Sequence, residues 1–294
     1  MAMTASLPAW PDWPGRDSSR IVEAGGVSWH VQQSGRGPDL LLVHGTGAST
    51  HSWRGLMPYL TERWRVTAPD LPGHGFTDPI RDGQPTLPAI AHVLTALVEQ
   101  LAIRPMVAVG HSAGAAILAR MAIDGGIRPA LLVAINGAFL PFRGIAMRMF
   151  PQLARLLVAN PLVARTLALS SSERTVNRMI RGSGSSIDEH GIDLYGRLFR
   201  DHHHVAGALE MMANWDLAPL VRDLPRLDIP TLLIVGEGDR YVDPSESRIV
   251  ARLIRQCERV LLPGLGHLMH EEAPAKIADL ILDRAEAAGA DAAP

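Results

Sequence analysis

Three stretches of this chain carry residue types that together could move an acyl group. Gly110-His111-Ser112-Ala113-Gly114 sets a serine between two glycines, after the apolar run 106–109 and before the small-residue stretch Ala113-Gly114-Ala115-Ala116. That context is a strand-to-helix turn that displays a nucleophile, and the flanking glycines leave room where a side chain would strike a neighbouring strand or helix. A serine hydroxyl is too weakly acidic to attack a carbonyl alone, so a histidine must take its proton and a carboxylate must orient the histidine. Both are expected downstream, in the order serine, acid, histidine. Asp239 follows the apolar run 231–235 through Gly236-Glu237-Gly238, and His267 follows Leu261-Leu262 through Pro263-Gly264-Leu265-Gly266. Asp243 and His270 compete for these roles. Asp239 is preferred because it stands nearer its strand, and His267 because Gly266 adjoins it, whereas His270-Glu271-Glu272 reads as the start of a solvated helix. The end of the preceding strand is another place for the acid, but Asn136 stands there and a neutral amide cannot stabilise imidazolium.

The oxyanion of a tetrahedral intermediate needs two backbone N–H donors aimed in advance. Ala113 would give one. The other is expected from His44-Gly45-Thr46-Gly47, with Thr46 first and Gly47 close behind, and His44 bracing the loop. The stretch Asp70-Leu71-Pro72-Gly73-His74-Gly75 reads as a structural turn near the site, with neither Asp70 nor His74 catalytic. His202-His203-His204 are adjacent, and adjacent side chains on a helix diverge, so they read as surface or lid histidines and no metal site is expected. No cofactor is expected, and no G-x-x-x-x-G-K-[ST] loop is present for ATP.

These residues need a scaffold, and the pattern supplies one. A hairpin over 20–33, turning at Gly25-Gly26, leads to strands at 40–43, 65–68, 106–109, 130–135, 231–235 and 259–262. Helices are expected at 52–63, 87–101, 113–123, 245–255 and 274–288. This alternation predicts an α/β fold with a mostly parallel sheet flanked by helices. Between 137 and 224 no buried-strand run occurs. The expected organisation is an extension over 1–19, a core over 20–136 and 225–294, and a helical lid over 137–224. Phe139, Leu140, Phe142, Met147, Met149, Phe150, Met211, Met212 and Trp215 either pack that lid on the core or line a wide apolar pocket. His111, Trp53, Phe139, Met211, Met212 and Trp215 are the expected substrate-facing residues. Arg143, Arg148 and Arg155, interleaved with apolar residues, leave contact with a membrane surface open.

The chain has 294 residues and a formal net charge of −2, with no basic field to attract nucleic acid. Lys276 is the sole lysine, so imine chemistry has almost no candidate. Cys257 is the sole cysteine, which permits no internal disulfide and reads as filler. Residues 1–15 lack a basic residue and carry Pro8, Pro11 and Pro14, so they do not read as a secretory signal, and no uninterrupted apolar run reaches membrane-spanning length. A cytoplasmic location is expected.

From Arg20 to Glu272 the chain resembles the α/β-hydrolase-fold magnesium chelatase accessory proteins of photosynthetic bacteria. The loop His44 to Gly47, the turn Gly110 to Gly114 and Gly236 to Asp239 are common to the whole superfamily. More particular are Gly45-Thr46-Gly47-Ala48-Ser49-Thr50-His51-Ser52-Trp53 and Met211-Met212-Ala213-Asn214-Trp215-Asp216-Leu217. The resemblance implies an α/β-hydrolase fold with the triad Ser112, Asp239 and His267, and a role beside magnesium insertion into protoporphyrin in bacteriochlorophyll biosynthesis, at or near the photosynthetic membrane. It implies no known reaction. Two expectations follow: a serine esterase acting on a large apolar substrate, such as a tetrapyrrole ester, or a porphyrin-binding or chelatase-docking protein with an idle triad. Serine in place of aspartate at the turn disfavours dehalogenase and epoxide-hydrolase chemistry. A lyase, a carbon–carbon hydrolase and a cofactor-free peroxidase stay open.

Overall fold

The computed structural model describes residues 7, 10–141, 161–170 and 172–290. Ser19–Ala24 (β1) and Val27–Ser34 (β2) form an antiparallel hairpin closed by Gly25 and Gly26, both at positive φ (58° and 75°). Two left-handed residues make the tight turn whose twist matches the flanking strands. Asp39–Val43 (β3), Arg65–Pro69 (β4), Pro105–His111 (β5), Leu131–Ile135 (β6), Thr231–Gly236 (β7) and Cys257–Leu262 (β8) complete one sheet in the order β1-β2-β4-β3-β5-β6-β7-β8. All pairings from β4 to β8 are parallel, and β2 runs antiparallel to both of its neighbours.

β3, β6 and β7 are buried at every position, as their apolar runs at 40–43, 131–135 and 232–235 require when helices cover both faces. Alternation then sorts their side chains: Leu41, Leu132 and Leu233 face the core under Leu87–Gln100 (α2) and Ala113–Ile123 (α3), whereas Leu40, Leu42, Leu131 and Ile234 face Pro274–Ala287. β8, the last strand, is half-exposed and carries Glu258 and Arg259, charges that discourage further strand pairing.

One helix departs from expectation. The stretch 52–63 is not one helix: Thr50–Trp53 form a 3₁₀ turn and Met57–Leu60 a short helix (α1), because Gly55 lies tight against Pro274 and Pro58 stands in the first turn of a new helix.

Between β6 and β7 the described residues contain helices Pro161–Ser170 (α4), Glu173–Gly182 (α5), Glu189–Arg200 (α6), His202–Ala213 (α7) and Ala218–Asp223 (α8). Phe142, Arg143, Met147, Arg148, Met149, Phe150 and Arg155 lie outside the described residues. The segment before β1 packs on this insertion: Trp13, 2% exposed, joins Trp10, Phe76, Leu194 and Leu198. Arg197 grips both carboxylate oxygens of Asp12 at 2.7 Å. Among the described residues no helix is long and apolar enough to cross a membrane.

Candidate active site

Ser112 sits between β5 and α3 with φ 51° and ψ −117°, a conformation that a non-glycine residue holds only when its surroundings compel it. The surroundings do so. Its N–H donates to Ile135 O at 3.0 Å, and its carbonyl accepts from Ala115 and Ala138 at 3.2 and 3.1 Å. A Cβ on Gly110 would meet Ala115 N at 2.4 Å, and one on Gly114 would meet Val43 O at 2.1 Å, so only glycine permits this tight turn.

At the carboxyl ends of β7 and β8, Asp239 Oδ2 lies 2.8 Å from His267 Nδ1, with Asp239 5% and His267 6% exposed. The other carboxylate oxygen accepts from Tyr241 and Val242 N–H at 2.8 and 3.0 Å, so it is aligned before any histidine charge develops. With Nδ1 paired, Nε2 is the ring atom left for proton exchange. Of the competitors, Asp243 accepts from Ser245 N–H at 2.8 Å. His270, expected at a solvated helix start, is instead fully buried in Met269–Glu272, between the rings of His111 and Trp53 with centroids 4.4 and 4.8 Å away. Burial, joined by repulsion from His267 and Arg54, lowers its pKa to about 3. The polar His-Glu-Glu string misleads because distant elements cover it: Glu271 is sealed under Arg54 and Tyr195 of α6.

Asn136 lies at the end of β6 with φ 45°. Its Nδ2 donates to Gly266 O and His267 O at 2.9 and 3.0 Å, and its Oδ1 accepts from Gly236 N–H at 2.8 Å. One amide thus ties the acid-bearing strand to the histidine loop. His111 Nε2 adds a bond to His267 O at 2.9 Å. From the insertion, Ser183 O accepts from Arg240 and His267 N–H at 3.1 and 3.3 Å, and Ser185 Oγ accepts from Leu268 N–H at 2.8 Å. In the sequence Asn136 stands out only as a neutral residue where an acid could be placed, and nothing there marks Ser183 or Ser185. The one available signal was an asparagine, tolerant of left-handed backbone, at the end of a buried strand.

Facing Ser112 is the loop after β3. His44 accepts Leu71 N–H at Nε2 (2.8 Å) and meets Gly45 O through Nδ1 (2.8 Å), so it braces the loop, and burial lowers its pKa to about 4. Ala48 N–H closes the turn on Gly45 O at 3.1 Å. The Thr46 and Gly47 amides have no partner among the described residues. Ala113, as the first residue of α3, has an N–H without an intrahelical acceptor. Asp70 is buried and takes His30 Nδ1, Thr50 N–H and Phe76 N–H at 2.7 to 2.9 Å, an anchor for the turn beside this loop.

The expected substrate-facing residues separate. Trp53 and Met211 are 0% exposed and Phe139 1%, all three within the hydrophobic core. Met211 touches the Ser112-facing loop, its sulfur 3.5 Å from Thr46 Oγ1. Phe139 borders a cavity of about 20 Å³ with Asn136, Val235 and Asp243, room for about one water. Met212 and Trp215 are half-buried, Met212 of α7 in the cluster that α7 forms with α4 and Trp215 against the core. Of the three adjacent histidines, His202 and His203 are half-buried, while His204 is buried between its own helix and the loops at Gly47 and Gly75. Among the described residues no group of three or more His, Cys, Asp or Glu could hold a metal ion. Cys257 is half-buried, and burial raises its thiol to about 11, so it is no thiolate at neutral pH.

A strained serine at a strand-to-helix turn and a buried Asp–His pair, both at the carboxyl ends of a mostly parallel sheet, accord with the alpha/beta hydrolase fold, and the chain belongs to that family, whose model matches residues 38–274. The chain is 38% identical over 281 residues to the magnesium-chelatase 30 kDa subunit of Rhodobacter capsulatus, covering 95% of this chain and 97% of that one. It is 31% identical to the pyrrolizixenacetamide deacetylase of Xenorhabdus hominickii, over 82% of this chain and 88% of the relative. An alpha/beta hydrolase fold protein of Burkholderia ambifaria superposes with a TM-score of 0.78 at 25% identity, covering 91% of this chain and 98% of that chain.

Proposed function

We propose that this protein is a serine hydrolase that cleaves an acyl bond, with Ser112 as nucleophile, His267 as general base and then acid, and Asp239 as its orienting carboxylate. The observation that carries the proposal is the buried 2.8 Å bond from Asp239 to His267 Nδ1, at the same end of the sheet as the strained Ser112. In this mechanism Ser112 Oγ attacks the acyl carbon as its proton passes to His267 Nε2. Ala113 and Thr46 N–H, with Gly47 adjacent, receive the oxyanion. Collapse expels the leaving group, which takes the proton from His267, and water then releases the acid by the same path. The segment 137–224 serves as a cap, and Met212 and Trp215, half-buried on it, line the pocket for a large apolar acyl group or alcohol, with His111, Phe139 and Met211 buried behind; Trp53, sealed in the core against His270, takes no part. The likeness to a magnesium-chelatase subunit supports a tetrapyrrole ester as substrate, action beside the chelatase, and a place at the photosynthetic membrane.

The test is hydrolysis of a p-nitrophenyl ester series by wild type and Ser112→Ala. Loss of turnover by at least about 10³-fold in the variant is expected. Equal rates would overturn the proposal. The name of the Rhodobacter relative favours a second reading, a non-catalytic porphyrin-binding chelatase component. Saturable quenching by protoporphyrin at micromolar concentration, with no Ser112-dependent ester turnover, would select it.

A further inference from the structure

His204 is the one member of the histidine run that the chain buries, at 1% exposure, and its two ring nitrogens meet two different loops. Gly75 N–H donates to Nδ1 at 3.0 Å, which puts the ring proton on Nε2, and Nε2 donates to Gly47 O at 3.1 Å. The imidazole thus joins the 72–75 turn to the loop that faces Ser112. We propose that His204 is a positioning residue of the oxyanion hole, supplied by the insertion rather than by the sheet that carries the nucleophile.

The proposal rests on the serine-hydrolase reading and deepens it. Gly47 has φ 78°, and a glycine there has no side chain to hold its peptide planes. His204 fixes the Gly47 carbonyl at one end of the turn, while His44 and Ala48 N–H fix the Gly45 carbonyl at the other. Between these anchors lie the Thr46 and Gly47 amides. Met211 stands seven residues after His204, on the same face of α7 two turns on, and its sulfur accepts the Thr46 hydroxyl. Gly207, midway, lies so close that a Cβ there would meet Gly73 O at 2.0 Å. One helix face therefore touches the donor loop twice and the neighbouring turn between. Burial lowers the His204 pKa to about 4, so the neutral ring required for this double contact persists at neutral pH.

Fixed donors matter most when charge develops on oxygen, so loosening them should lower kcat and leave KM nearly unchanged. On a p-nitrophenyl ester, His204→Phe keeps a ring of similar size without either bond and is expected to lower kcat about 10- to 100-fold, with KM changed less than about twofold. His204→Gln, whose amide can accept from Gly75 and donate to Gly47, should restore most of the loss. Unchanged kcat in His204→Phe, or equal losses in both variants with KM raised, would overturn the proposal. Nitrogen-15 NMR of the wild-type imidazole gives a test that survives a misfolded variant. A protonated Nε2 shielded from exchange supports the clamp, and an Nδ1–H tautomer overturns it. Wild type without Ser112-dependent turnover would instead defeat the hydrolase reading, which the tautomer measurement does not touch.

Discussion

Replacing Asn136 with alanine tests whether one buried amide holds the acid and histidine loops together. The change removes bonds of 2.9, 3.0 and 2.8 Å to Gly266 O, His267 O and Gly236 N. His267 O keeps His111 as a donor, so two buried backbone groups lose their side-chain partner. At about 1–3 kcal/mol each, with about 1 kcal/mol more for alanine at positive φ, the expected loss is about 3–7 kcal/mol. For a chain of this size that is a fall in Tm of at least about 6 °C. Urea unfolding at pH 8 measures it, alongside kcat/KM on a p-nitrophenyl ester, which should fall because the His267 backbone is no longer held. Asn136→Asp keeps an acceptor for Gly236 and the tolerance of left-handed backbone, but turns a carboxylate on two carbonyl oxygens. It should be as unstable as the alanine variant at pH 8 and recover as acid protonates it. Both variants within 1 kcal/mol of wild type, a bound set by the lower end of these penalties, with kcat/KM intact, would refute the reasoning.

Acid should unfold the protein early. Burial above all lowers His44, His74, His204 and His270 to about 4, 3, 4 and 3 from an ordinary 6.5, so the unfolded chain takes up protons that the folded one refuses. Their contribution is fully present above pH 6.5 and is lost as pH falls toward 4 for His44 and His204 and toward 3 for His74 and His270, with a slope approaching about 5 kcal/mol per pH unit while all four protons differ. Urea midpoints should hold steady from pH 7.5 to 9 and drop below about pH 6; equal midpoints at pH 5 and 7.5 would contradict this. Gly184→Ala should cost several kcal/mol, because its Cβ would meet Gly238 O at 1.8 Å at a φ of 86°; a Tm unchanged by scanning calorimetry would count against that packing. Trp13→Ala should cost about 3 kcal/mol and speed limited proteolysis within α6, since Trp13 packs on Leu194 and Leu198; wild-type cleavage kinetics would show that the contact carries no load.

Sequence periodicity finds every strand of the sheet to within two residues, because β3, β6 and β7 are buried on both faces and contain apolar runs. The strand order lies outside local pattern, since β4 sits between β2 and β3 through pairings of residues far apart in the chain. The serine turn is legible because its Gly-x-Ser-x-Gly string lies between an apolar run and a small-residue stretch, although only Gly110 is demanded by a local contact, with Ala115, and Gly114 answers to Val43 on β3. Asn136, Ser183, Ser185 and His204 are not, because each acts on backbone groups more than 50 residues away. His270 misleads for the same reason. Its neighbours in sequence are acidic, but its neighbours in space are the rings of Trp53 and His111.

The most direct measurement is intact-protein and peptide mass spectrometry after exposure to an alkyl fluorophosphonate. One adduct on Ser112 is expected, absent in Ser112→Ala and slowed by about 10³-fold or more in His267→Ala. A wild-type protein that stays unmodified, or that reacts elsewhere at a rate indifferent to His267, would contradict the account.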